Sequence, residues 1–228
     1  MCDIPLDSYL AESTRLEVVT DFLTHEVSKL DSPIYKAPLE VVSGRTSQSH
    51  SELLAVLRSA YTPPIQGEQI RAFLGKLPLS ERWKLFHAVS CGGLEKDLFN
   101  CVGCPAFKWA RESVPLHRTC FETKVGALQD FKEKHPTFAQ AVDFLKTSNA
   151  EDQTPHVFQD PLIGRAKEDL VLIHDGNGRL LSYAFARIRG DIPEDHHVEI
   201  WVGRDRQPEA AEFAAYQQAT DGIFRKTR

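Results

Sequence analysis

The chain has 228 residues, 42% of them hydrophobic and 26% charged, with a formal net charge of −5. That length can bury a sizeable core, and the negative balance disfavours nucleic-acid binding driven by bulk phosphate attraction. No apolar run reaches the roughly 18 residues a transmembrane helix needs. The start, MCDIPLDSYLAES, lacks the basic head and apolar middle of a signal peptide, so a cytoplasmic protein with its five cysteines reduced is expected.

Ser13 or Thr14 caps a predicted helix to about Leu30, with Leu16, Val19, Phe22, Leu23, Val27 and Leu30 at helical spacing. Pro33–Val42 reads as an extended run that Pro38 confines to a sheet edge, and GRTSQSHS after it as an exposed loop. Helices are predicted over Glu52–Tyr61, Gln66–Leu74 and Ser80–Val89, the last with a core face of Trp83, Leu85, Phe86 and Val89. A further helical stretch is interrupted by Pro115 and resumes to about Lys134. Pro136 opens the next, which carries Phe138, Val142, Phe144 and Leu145 to about Lys146. Residues 147–168 are polar and turn-rich. The domain plan is a mostly helical body over 1–148 with one early strand, a linker or loop over 149–168, and a final unit over 169–228.

That final unit holds the chemistry-bearing stretch, LVLIHDGNGRLLSYAFARIRGDIPEDHHVEIWVG. Leu170–Ile173 reads as a buried strand and Val198–Val202 as a second. Pro208 opens a last helix with Ala211, Phe213, Ala214, Tyr216 and Ala219 on its buried side. For Leu180–Arg189 the period leaves two readings open. Leu180, Leu181, Ala184, Phe185 and Ile188 lie on one helical stripe. Leu181, Tyr183 and Phe185 also alternate with small residues as in a strand, and DGNG is a strong hairpin turn. On the helical reading, the amides of Gly176, Asn177 and Gly178 meet at a helix mouth, where partial positive charge and unpaired donors suit an anion. Arg179 adds a planar fork matched to phosphate oxygens.

On Gly176-Asn177-Gly178-Arg179, followed by LLSYAFAR and VEIWVG, the segment resembles the ParB/sulfiredoxin superfamily, in which a strand, a loop of the kind Gly-x-His/Arg-Arg, a helix and a short strand follow one another. The resemblance covers about 35 residues. It implies that Gly176, Asn177, Gly178 and Arg179 hold the phosphates of ATP or another nucleotide. By analogy with free amino-acid kinases of that superfamily, it also implies that His174 or Asp175 acts as base or metal contact, with Glu26 or Glu40 as an upstream partner. Asn177 stands where sulfiredoxins carry their reactive cysteine, so sulfinic-acid reduction is not expected. No helix-turn-helix follows, so neither is partition-type DNA binding. A Fic-type AMP-transfer motif is incomplete, because Ser182 occupies the position of its second arginine.

Four cysteines fall between 91 and 120: Cys91, Cys101, Cys104 and Cys120. Cys101-Val102-Gly103-Cys104 has the spacing that turns two sulfurs toward one zinc ion. The outer spacings of nine and fifteen residues are irregular, and buried thiols behave as small apolar groups. Structural zinc and plain core thiols therefore both stand as readings, with redox use as a third. His196-His197 beside Glu194 and Asp195 has metal-ligand chemistry but reads as a polar loop.

The expected fold is α/β or α+β, a small mixed sheet from Pro33–Val42, Leu170–Ile173 and Val198–Val202 with a large helical insertion between the first two. The expected function is nucleotide or phosphate binding, extending to ATP-dependent phosphotransfer onto a small molecule. The alternatives are a non-enzymatic protein-interaction module with a zinc-stapled helical body, and an acyl- or AMP-transferase. The expected partners are a small-molecule substrate or a protein, without membrane or nucleic acid.

Overall fold

The computed structural model describes residues 13–27, 96–122, 129–148 and 161–224, together with positions 68, 71, 72, 74–77, 79, 82, 83, 85 and 86. The predicted strand at 33–42, the loop at 44–51, the helix at 52–61, Glu40 and Cys91 lie outside the described residues. The fold is mixed α/β, with a five-stranded mixed sheet and flanking helices. Two compact units are formed, one from Lys108–Asp205 and one from Met1–Phe107 with Arg206–Arg228. Among the described residues, no helix is long and apolar enough to cross a membrane.

In the second of these units, α1 (Ser13–Val27) buries Val18, Val19, Phe22 and Leu23 at the helical period read from sequence and packs on α2 (Lys96–Gly103). Phe22 meets Phe86 edge-on at 5.2 Å, and Trp83 meets the same ring at 5.9 Å. Arg15, almost fully buried, donates to the Phe107 carbonyl at 3.2 Å, so its charge shares a hydrogen bond inside this core.

The 108–205 unit carries most of the sheet. Its strands are β1 (Phe107–Pro115), β2 (Thr119–Phe121), β3 (Leu162–Lys167), β4 (Leu170–Asp175) and β5 (His197–Asp205), in the spatial order β1-β5-β3-β4-β2. β2 runs parallel to β4, β3 antiparallel to β4, and β3 parallel to β5. Three of these strands correct the sequence expectation. The run through Pro115 is a strand rather than a helix; a 3₁₀ turn at Leu116–Arg118 and β2 replace the helix expected to resume there; and the end of the expected linker is β3. The described strands all follow residue 106, so three of them precede β4 in the span assigned to a helical insertion.

One face of the sheet is apolar. Val198, Ile200 and Val202 of β5, and Val171 and Ile173 of β4, alternate onto it and are buried. Above them lie α4 (Phe138–Ser148) and α5 (Asn177–Arg189), which pack on one another, while α3 (Gln129–Lys134) adds Phe131 at the margin. Leu180, Leu181, Ala184 and Phe185 all enter this core, so the helical reading of Leu180–Arg189 holds and the hairpin reading does not. α5 stops at Gly190, whose left-handed backbone (φ 78°) lets the Asp191 N–H reach the Ala186 carbonyl at 2.9 Å. The opposite face alternates polar and aromatic side chains, among them the Arg111–Glu199 pair at 3.1 Å and the Arg165–Asp205 pair at 3.6 Å. α6 (Ala210–Phe224) follows β5.

Candidate active site at the carboxyl ends of two parallel strands

β4 ends at Asp175, and the chain enters α5 through Gly176, which holds φ 95°. A β-carbon here would collide with Leu162 Cδ2 and crowd the Arg179 guanidinium, so both the left-handed backbone and the close packing call for glycine. The Leu180 N–H bonds the Gly176 carbonyl at 2.8 Å and closes the first turn. The amides before Leu180 cannot find a partner four residues back, as at any helix start. Gly178 sits there exposed, with open space where a side chain would stand.

The register Phe121↔Ile173 between β2 and β4, carried one residue further, sets Glu122 beside His174. His174 Nδ1 and Glu122 Oε1 lie 2.9 Å apart, with side chains 6% and 13% exposed. A carboxylate can only accept, so beside an ionised Glu122 the Nδ1 of His174 is the donor, and in the neutral imidazole Nε2 is then the nitrogen that carries the lone pair. Nε2 is buried and has no hydrogen-bond partner among the described residues. Asn177 ties the two strands to the helix. Its Oδ1 accepts the Glu122 N–H at 3.2 Å, and its Nδ2 donates to the Ile173 carbonyl at 3.1 Å.

Asp175 and Arg179 turn toward each other. Arg179 Nη2 donates to Asp175 Oδ2 at 2.9 Å, and Nη1 donates to the Pro161 carbonyl at 3.2 Å, with both side chains buried. Strand alternation puts Asp175 on the face opposite His174. Of the residues singled out from sequence, His174, Asn177 and the Gly176–Gly178 backbone therefore gather at the ends of β2 and β4. Asp175 and Arg179 form a buried clamp between strand end and helix.

Glu122 was not found from sequence. It is separated from His174 by 52 positions, and β2, at three residues, is too short to show a period. Glu26 lies in α1. His197, the exposed first residue of β5, has its Nδ1 2.8 Å from the Asp195 carbonyl. A cavity of about 260 Å³ lies at the other end of β4, lined by Leu170, Glu168, Arg118 and Arg204 among others. Its wall contains none of the residues of the β4–α5 junction, whose donor and acceptor chemistry is the better guide to a site.

The cysteines divide between the units. Cys120 in β2 is buried with its Sγ 3.5 Å from the Val171 carbonyl, while Cys101 and Cys104 sit half-buried at the end of α2. Among the described residues, no group of three or more histidines, cysteines and carboxylates is placed to hold a metal ion. Comparison with protein-family models, with curated proteins and with solved structures gives no match.

Proposed function

We propose that the chain is a nucleotide- or phosphate-binding protein of ParB/sulfiredoxin-like type, receiving its ligand at the carboxyl ends of β2 and β4 and transferring phosphate to a small molecule. The observation that carries this reading is the Glu122–His174 pair, in which one imidazole nitrogen is held by a carboxylate and the other is buried without a hydrogen-bond partner among the described residues. A histidine oriented in this way takes a proton from a bound hydroxyl as general base. The order β4–α5–β5 supports the superfamily reading. The start of α5, open at Gly178, supports the phosphate, whose charge is favoured by unpaired amides and the helix dipole.

The roles within the motif shift accordingly. His174 handles the proton and Glu122 fixes its tautomer. Asp175 and Arg179, engaged with one another, hold the junction in shape rather than meeting the ligand. ATP is the nucleotide donor of this reading, and the amides of Asn177 and Gly178 are its phosphate contacts.

The test is calorimetry of the full chain with ATP, CTP and pyrophosphate, paired with phosphate transfer to small hydroxyl or amino compounds. Binding of at least one probe is expected. His174→Asn retains a group able to bond Glu122 but removes Nε2, and should keep binding within about tenfold, some 1.4 kcal/mol, while abolishing transfer. Failure of the intact chain to bind any of the three probes would overturn the reading.

A further inference from the structure

A second chemical site lies in the unit that does not contain the Glu122–His174 pair. Cys101 occupies the last turn of α2 and Cys104 stands one residue past its end, both half-buried thiols. On a regular helix, residues three apart have α-carbons about 5 Å from one another, given ~1.5 Å rise and ~2.3 Å radius. That lies within the roughly 4.4–6.8 Å span of disulfides. Their β-carbons would be about 5–6 Å apart, which exceeds the ~3.8 Å a disulfide wants, so the end of the helix must tighten.

The local structure allows that movement. Gly103 lies between the two thiols with no side chain to resist a change of backbone angle. Cys104 has already left the helix, its carbonyl accepting the Phe107 N–H at 3.2 Å in the turn that follows. The Tyr216 ring lies against Gly103, where a β-carbon would stand 3.2 Å from Cε2, with Trp83 behind at 3.8 Å. Burial first, then the charges of Cys104 and Cys101, push the Tyr216 hydroxyl up, as expected if both sulfurs face the same phenol.

We infer that Cys101 and Cys104 form a reversible internal disulfide by exchange with a low-molecular-weight disulfide of the glutathione class. One thiolate attacks the small disulfide, forming a mixed disulfide and releasing one small thiolate. The second cysteine, deprotonated, attacks the protein-bound sulfur and expels the other. Two protein thiols are oxidised, and one small disulfide is reduced to two thiols. The pair sits at the negative end of α2, which withholds the thiolate stabilisation that makes a dithiol at a helix start a strong oxidant. It is therefore a slow modification site, not an exchange catalyst.

The experiment equilibrates the full chain with graded mixtures of reduced and oxidised glutathione, quenches with acid, alkylates and maps peptides by mass. The expected result is joint protection of Cys101 and Cys104 through one linkage between them, with Cys120 remaining a thiol throughout. In Cys101→Ser the linkage is lost and Cys104 carries a glutathione adduct instead. Absence of the 101–104 linkage in the unmodified chain at every ratio, or pairing of either residue with Cys2 or Cys91, overturns the inference.

Discussion

Arg179, in the first turn of α5, and Asp175, the last residue of β4, face one another across the strand–helix junction, Nη2 to Oδ2 at 2.9 Å, with side chains 6% and 7% exposed. Removing one partner of such a pair leaves an uncompensated buried charge, which costs about 3–5 kcal/mol. Arg179→Met is expected to lower stability by that amount in urea denaturation with the slope unchanged. Asp175→Leu combined with Arg179→Met should recover most of the loss, because two apolar groups replace two charges. A loss below about 1 kcal/mol in the single variant would place the pair among ordinary surface contacts.

Two glycines two residues apart should respond in opposite directions. Gly176→Ala forces a side chain into a left-handed backbone and into Leu162, and is expected to cost about 1–3 kcal/mol. Gly178→Ala meets open space inside the first turn of α5 and is expected to gain up to about 1 kcal/mol by restricting the unfolded chain. Thermal melts of the two variants beside the parent check the difference, and equal shifts would contradict the geometry of the junction.

Acid sensitivity should be traceable to Glu212. It stands at the start of α6, accepting the Glu209 N–H at 2.9 Å and Arg206 Nη2 at 2.6 Å. Burial pushes its carboxyl up, but the hydrogen bonds from Arg206 and the Glu209 backbone, with the charges of Arg206 and Arg15, outweigh that and hold it below the usual range. A carboxyl lowered by folding contributes stability above its unfolded value, about 4.3, and loses it as pH falls through the folded value. Glu212→Gln should therefore melt lower than the parent at neutral pH, and the gap should close in acid. A gap that stays constant from neutral to strongly acidic pH would show that its ionisation is not involved.

Cys120 should be the slow thiol. Burial raises its pKa, with the charge of Lys167 opposing only in part, and its Sγ lies 3.5 Å from the Val171 carbonyl. Alkylation of the folded, reduced chain is expected to label Cys101 and Cys104 while leaving Cys120 unmodified until denaturant is added. Labelling of Cys120 at a rate equal to Cys104 would show that the end of β2 opens readily.

The sequence carried a large share of this fold wherever one period dominates. The stripe Val19, Phe22, Leu23 located α1, and the continuous apolar run Leu170–Ile173 located β4. The spacing Phe138, Val142, Leu145 located α4. β1 escaped because Lys108, Arg111 and Glu112 interrupt its apolar positions, leaving only Trp109 and Val114 fully buried. β3 escaped because Gly164 and Arg165 break its alternation inside a polar stretch. The loop Gly176–Arg179 was recognisable as a junction, but period alone could not choose between helix and hairpin for the ten residues after it.

By itself the sequence determined the local vocabulary of the candidate site: a strand, a glycine turn, an imidazole, a carboxylate and a guanidinium within the ten positions from Leu170 to Arg179. Only the tertiary structure decided their pairings. Parallel pairing of β2 with β4 brought Glu122 to His174, and packing of α5 on the sheet closed Arg179 onto Asp175. The physical reason is that hydrogen-bond registry between distant strands, together with the cost of leaving a charge buried without a partner, selects contacts that no local period encodes.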